Sequence, residues 1–104
     1  MPGVDFQAVR SMVPIAQVLA LIGFVPRESS GEQLRGPCPV HRSTSPRSRT
    51  FSVNLRQNAY RCFKCGSVGN QLDLWAALSK TDLHTATVDL CERLHLDIPW
   101  IRKW

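Results

Sequence analysis

Two pairs of soft ligands, each with a two-residue gap, constrain this chain more than any other feature: Cys38-Pro39-Val40-His41 and Cys62-Phe63-Lys64-Cys65, separated by residues 42–61. A two-residue gap lets one tight turn aim both side chains at a point, and two such turns at neighbouring ends of a hairpin supply four tetrahedral corners. Thiolates with one imidazole favour zinc over magnesium or calcium. Gly66 after the second pair, and Gly36, Pro37 and Pro39 around the first, permit the turns that such knuckles need. With all four corners filled by protein, the expected site is one structural zinc ion with no open position for an activated water.

The chain has 104 residues, the length of one ordinary domain, and a domain this small gains substantially from a metal staple. One unit over 1–104 is expected, with its core at about 14–99 and a loop at 42–50. The first twenty residues include Asp5, Arg10, Pro14 and Gln17, and no apolar run there reaches the length of a signal segment or a membrane span. A cytoplasmic protein without a membrane partner is therefore expected. In a reducing compartment closely spaced cysteines are metal ligands or redox thiols before they are disulfides. A four-cysteine disulfide scaffold and a dithiol redox motif at Cys62-Phe63-Lys64-Cys65 are the competing readings. The second lacks the helix that normally begins at such a motif. Cys91 reads as a small core residue, and His84 and His95 as packing or surface groups.

The formal net charge is +5, and it is concentrated in one segment. Between Gln33 and Leu72 there is no acidic residue, while Arg35, Arg42, Arg47, Arg49, Arg56, Arg61 and Lys64 all lie there; each flank carries a net −1. Such a block suits a polyanion; a solvated basic face kept for solubility is the plain alternative.

Helical spacing predicts a segment over Val4–Met12 and a second helix opened by Pro14 and carrying Ile15, Val18, Leu19 and Ile22, stopped by Gly23. Phe24–Arg27, Gln33–Gly36, Phe51–Asn54 and Ala59–Arg61 read as short strands of a small antiparallel sheet. Arg42–Thr50, rich in serine and arginine, reads as a mobile loop. Asn70 with Asp73 marks a helix start through Leu72, Trp75, Ala76 and Leu78, and Asp82 caps a last helix with Leu83, Ala86, Leu90, Cys91 and Leu94 on one face. The tail Pro99–Trp104 reads as a finishing strand or the start of a linker.

The order Cys38-Pro39-Val40-His41, Ser45-Pro46, Phe51-Ser52-Val53, Tyr60-Arg61-Cys62-Phe63-Lys64-Cys65-Gly66, then Gly69-Asn70 and an amphipathic helix, resembles the N-terminal zinc-binding domain of bacterial DnaG-type DNA primases. The resemblance runs from about Ile15 to about Pro99, including a closing helix at Thr85–Leu96. It implies zinc held by Cys38, His41, Cys62 and Cys65, an α+β fold with a zinc-ribbon-like antiparallel sheet flanked by N- and C-terminal helices, and a role in engaging single-stranded template and starting a primer. Several features depart from the family pattern. Val40 stands where phenylalanine is usual, Arg42 follows the histidine where acidic or mixed residues are usual, and the segment between Pro46 and Phe51 is longer and more basic, with Arg47 and Arg49. The carboxylates of a primase catalytic domain have no counterpart here, since Asp89, Glu92 and Asp97 read as helix-surface charge. The chain by itself is not expected to polymerise nucleotides.

Single-strand binding without strong sequence choice needs cations for phosphates and aromatic faces for bases. Arg42, Arg47, Arg49, Arg56, Arg61 and Lys64 are the expected cations, with Tyr60 and Phe63 as stacking rings; Tyr60 is preferred because its hydroxyl tolerates solvent. Phe51 and one of the other two rings are equally readable as core. The expected partner is single-stranded DNA, with a primase catalytic domain, helicase or polymerase as a protein partner. A protein-interaction zinc ribbon and a duplex-binding regulator from a mobile element are the alternatives.

Overall fold

The computed structural model describes residues 3–43, 45 and 47–101. Pro46 of the Ser-Pro pair and the tail residues Arg102, Lys103 and Trp104 lie outside that set. Helix α1 is Phe6–Met12, opened by Asp5, whose carboxylate accepts from the Ala8 N–H at 3.1 Å. Helix α2 is Ile15–Leu21. Pro14 is its N-cap rather than part of its first turn, and a proline side chain caps nothing. The first free N–H, that of Ile15, instead donates to Asn58 Oδ1 at 2.9 Å, a cap supplied from 43 residues away. Gly23, at φ +72°, ends the helix where expected.

Five strands follow as an antiparallel meander in chain order: β1 Glu28–Ser30, β2 Gln33–Gly36, β3 Phe51–Asn54, β4 Ala59–Cys62 and β5 Val68–Asn70. The first strand begins one residue after the predicted Phe24–Arg27. Pro26 has no N–H to donate, so only Arg27 extends the ladder, to the Arg35 carbonyl at 2.8 Å. Phe24 packs instead, edge-on to Phe51 with ring centroids 5.3 Å apart. Gly36 admits this approach, since a Cβ there would sit 3.0 Å from the Phe24 ring. Strand β5 is an addition that the sequence did not announce, being only three residues with a glycine, Gly69, in the middle.

Strand β5 runs straight into α3, Gln71–Ser79, through a complete capping box: Asn70 Oδ1 accepts from Leu72 and Asp73 N–H, and Asp73 Oδ2 accepts from Asn70 N–H at 2.9 Å. Gly69 lies at φ +154°, and a Cβ there would collide with the Asp73 carboxylate. Helix α4, Leu83–Arg93, is capped by Asp82 as predicted. Leu83 is exposed, while Ala86, Leu90 and Cys91 of the expected stripe are buried.

One apolar cluster joins Val9, Val13, Ile15 and Val18 of the N-terminal helical segment, Phe51, Val53 and Tyr60 of the sheet, Leu72, Leu74 and Trp75 of α3, and Leu90 and Cys91 of α4. It includes Val4, at 1% exposure, so the packed unit begins well before residue 14. The tail is neither a full strand nor a free linker over its described part: Trp100 forms a single antiparallel bridge to Val4, with Asp5 N–H donating to Pro99 O at 2.7 Å. A buried polar group ties the layers. Gln71, 1% exposed, donates its Nε2 to the Arg10 and Val13 carbonyls at 3.0 and 2.9 Å, closing the C-terminal end of α1 onto the start of α3. The result is an α+β fold in which the sheet carries helices from both ends of the chain and keeps one broad face uncovered.

Candidate metal centre and adjoining surface

Strand phase decides which way each ligand points. On β4, Cys62 and Tyr60 share the inner face and Arg61 the outer one. Cys62 opens the second knuckle, closed by Gly66 N–H donating to Cys62 O at 3.0 Å and Cys62 N–H donating to Ser67 O at 2.8 Å. Gly66 is at φ +79°, a conformation that favours glycine. The first knuckle leaves β2 through Pro37, and its turn is closed by Ser43 N–H donating to Cys38 O at 3.0 Å. Arg42 follows the histidine in a left-handed conformation, φ +51°.

These two turns bring the ligand atoms of Cys38, His41, Cys62 and Cys65 all within 4.8 Å of one another. The Cys38 and Cys65 sulfurs are 3.9 Å apart, and Cys62 Sγ is 3.5 Å from His41 Nδ1. A zinc tetrahedron with bonds of 2.0–2.3 Å has edges of about 3.5–3.8 Å, so these separations fit an ion. They do not fit a disulfide, and all four cysteines are free. The imidazole gives a second test. Its Nε2 is buried and has no hydrogen-bond partner, and Nδ1 faces only the sulfur cluster. The half-buried imidazole thus turns Nδ1 to the sulfurs, as a zinc ligand would. The four side chains are thus positioned to bind one zinc ion with no vacant corner, which makes the ion structural.

Without metal, burial pushes the Cys38 thiol up to about 12. Burial also raises Cys62, but hydrogen bonds from the Cys65 and Lys64 backbone N–H groups outweigh it and bring that thiol down to about 6. Cys65 N–H donates to Cys62 Sγ at 3.4 Å, and the Thr50 hydroxyl lies 3.8 Å from the same sulfur. Cys91 is fully buried away from the cluster, and His84 lies against Trp100; neither joins the site.

The expected nucleic-acid residues are divided by the fold. Phe63, between two ligands, is 59% exposed. The Arg35 and Arg61 guanidiniums lie 5.4 and 5.1 Å from its ring centroid. Arg35 and Arg61 flank Ser52 in register across β2, β3 and β4, so strands far apart in sequence place both cations in one outward row. Arg35 was missing from the expected set. Its signal was available: it is out of phase with Leu34 and Gly36, the inward residues of its strand. Lys64 is exposed in the same knuckle. Arg49 is exposed, pairs with Glu28 at 3.6 Å, and has its carbonyl held by Arg35 at 2.9 Å. That end of the 42–50 loop is anchored, contrary to a freely mobile segment. Arg47 is exposed.

Three residues stand apart. Arg42 lies beside Gly23, Phe24 and Pro39 on the flank of the first knuckle. Arg56 sits in the β3–β4 turn, at the opposite end of the sheet from the metal. Tyr60 is a correction. It is 3% exposed, stacked at a tilt on Phe51 with centroids 5.6 Å apart, and its hydroxyl is hydrogen-bonded to Ser67 Oγ at 2.7 Å. A tyrosine two residues before an inward ligand on one strand must itself point inward, so it offers no ring face to a base.

The profile of the CHC2 zinc finger matches residues 3–103. The DNA primase of Synechocystis sp. is 28% identical over 92 residues, covering 88% of this chain and 14% of that protein. The DNA primases of Treponema pallidum and Escherichia coli K12 are 29% and 28% identical over 82 and 73 residues, or 78% and 70% of this chain and 13% and 12% of theirs. A crystal structure of Aquifex aeolicus primase, comprising zinc binding and RNA polymerase domains, superposes with a TM-score of 0.70 at 21% identity, covering 97% of this chain and 23% of that one. The chain spans about one seventh of the length of the curated relatives it matches. Among the described residues no helix is long and apolar enough to cross a membrane.

Proposed function

Because the chain belongs to the CHC2 zinc finger family, we propose that it is the zinc-stabilised, single-stranded DNA-binding part of a cytoplasmic priming system in DNA replication, engaging template for a primase catalytic domain. The observation that carries this reading is the exposed Phe63 ring, flanked by Arg35 and Arg61 on the open face of the sheet. A π-face for a base and cations for the adjacent phosphates are what sequence-tolerant single-strand binding requires. The metal acts on this surface through geometry, since Phe63 and Lys64 are the two residues between ligands Cys62 and Cys65 and their backbone is fixed when the knuckle closes. The ion has no part in chemistry on the nucleic acid.

The test is fluorescence anisotropy with single-stranded and duplex oligonucleotides over a salt series, using zinc-loaded protein. Single-strand preference is expected. With Arg35, Arg49, Arg61 and Lys64 on phosphates, log Kd against log salt should change with a slope of magnitude about 2.8. Absence of binding at low salt would overturn the reading in favour of a zinc ribbon that docks on a polymerase or helicase, and duplex preference would favour a duplex-binding regulator.

A further inference from the structure

The open face of the sheet carries two rows of side chains. The row nearer the metal is Glu28, Arg35, Ser52, Arg61 and Val68; the next, two residues further along each strand, contains Ser30, Gln33, Asn54, Ala59 and Asn70. The rows lie roughly 7 Å apart, two residues at the rise of an antiparallel strand. They differ in chemistry, because the first offers cations and the second carboxamides. The second row leads into a cleft of about 490 Å³ between the β1–β2 and β3–β4 turns, lined by Ser30, Glu32, Gln33, Asn54, Arg56 and Gln57.

The groups in this cleft are set for a ligand with both donors and acceptors. Asn54 Oδ1 is used within the protein, accepting from Gln57 N–H at 3.0 Å, which leaves the Asn54 amide nitrogen to donate outward. Gln33 donates its Nε2 to Ser52 Oγ at 2.5 Å, which leaves its carbonyl oxygen to accept. The side chains of Arg56 and Gln57 make no hydrogen bond or ion pair among the described residues. Glu32 adds a carboxylate at the rim, which disfavours a phosphate here and suits the amino group of a base. Asparagine, glutamine, arginine and glutamate are the side chains whose donor and acceptor patterns match base edges, and an unstacked base of a single strand exposes such an edge.

We propose that this cleft is a base-edge subsite: a strand stacked on Phe63 and tracked by Arg35 and Arg61 extends along the sheet and places a neighbouring base against Gln33, Asn54, Arg56 and Gln57. The proposal rests on the single-strand reading above and adds the place where bases are told apart. The metal end supplies sequence-independent affinity, and the turn end supplies preference.

The experiment compares zinc-loaded wild type with Gln33→Ala, Gln57→Ala and Asn54→Ala/Gln57→Ala, using short oligo(dT) strands that are unbroken or carry a central run of dA, dC or dG. Wild type should separate the best strand from the worst by at least about five-fold, the low end of one well-made base contact. The double variant should narrow that spread to within about two-fold, chiefly by weakening the strand that wild type holds best. Gln33→Ala and Gln57→Ala, which leave the Asn54 turn bond in place, should narrow it in part and guard against a folding artefact. Equal wild-type affinity for all four strands, or an unchanged order in all three variants, would overturn this proposal while leaving the single-strand reading standing. Failure to bind any strand removes both.

Discussion

At the metal end of the sheet the described residues of 37–50 and 63–67 form no helix or strand, and Cys38 is the one buried residue among them. At the other side of the molecule α3 and α4 bury Leu72, Leu74, Trp75, Ala86, Leu90 and Cys91 against α1, α2 and the sheet. Apolar burial of that extent orders a helical layer without help, because each large side chain removed from water contributes about 1.5–3 kcal/mol. The knuckles have no comparable burial, so their order must come from four bonds to one ion. Within the surface proposed to bind nucleic acid, Phe63 and Lys64 stand on the second kind of order, while Arg35 and Arg61 stand on paired strands.

Removing the metal tests this contrast most severely. Stabilisation on the order of 10 kcal/mol is linked to a structural zinc ion, much of it offset by ordering the two turns. Titration with a chelator should first release amide-exchange protection in residues 37–50 and 63–67 and in β4, while α3 and α4 keep theirs to higher chelator. Simultaneous loss in both regions would refute the division. Acid should act in the same place. Against the opposing effect of burial, backbone N–H groups of Cys65 and Lys64 bring the Cys62 thiol in the folded chain down from its ordinary 9.0 to about 6. It therefore contributes stability above 9 that is lost as pH falls through about 6, and because a ligating thiol must be deprotonated, zinc affinity should drop in that interval. A metal indicator followed from pH 9 to 5 checks the direction.

The helical layer should respond to the opposite kind of change. Leu90→Ala, at a fully buried site, is expected to cost about 2–5 kcal/mol in denaturant unfolding, with one zinc still bound per folded chain by mass spectrometry. Gln71→Ala leaves the Arg10 and Val13 carbonyls without their donor, a loss of about 1–3 kcal/mol visible as a lower denaturant midpoint. Phe63→Ala sharpens the contrast from the surface side. Its ring is mostly exposed, so stability should stay within about 0.5 kcal/mol, while single-strand affinity falls by about 1–3 kcal/mol. A variant that lost stability and kept affinity would place Phe63 among the structural residues.

Much of this architecture was legible wherever a local rule sufficed. Asn70 and Asp82 announced the starts of α3 and α4 because a cap needs only its own next three residues. The two ligand pairs announced the metal centre because each spacing is closed by one turn. Phe24–Arg27 misled because its composition suits a strand while Pro26 withholds the donor a ladder needs. The shift of Arg42 and Arg56 away from the Phe63 surface had no local signal at all, since it depends on which end of the hairpin each turn occupies.

The amino-acid order by itself settled the ligands, their spacing, the basic middle segment and the helix caps, all of which are short-range matters of turn geometry and charge. Tertiary packing alone decided that Tyr60 is buried while Phe63 is exposed, that Arg35 stands beside Arg61, and that Asn58 caps a helix 43 residues away. Those outcomes follow from strand pairing, which fixes the phase of each side chain and brings together residues that no local pattern relates.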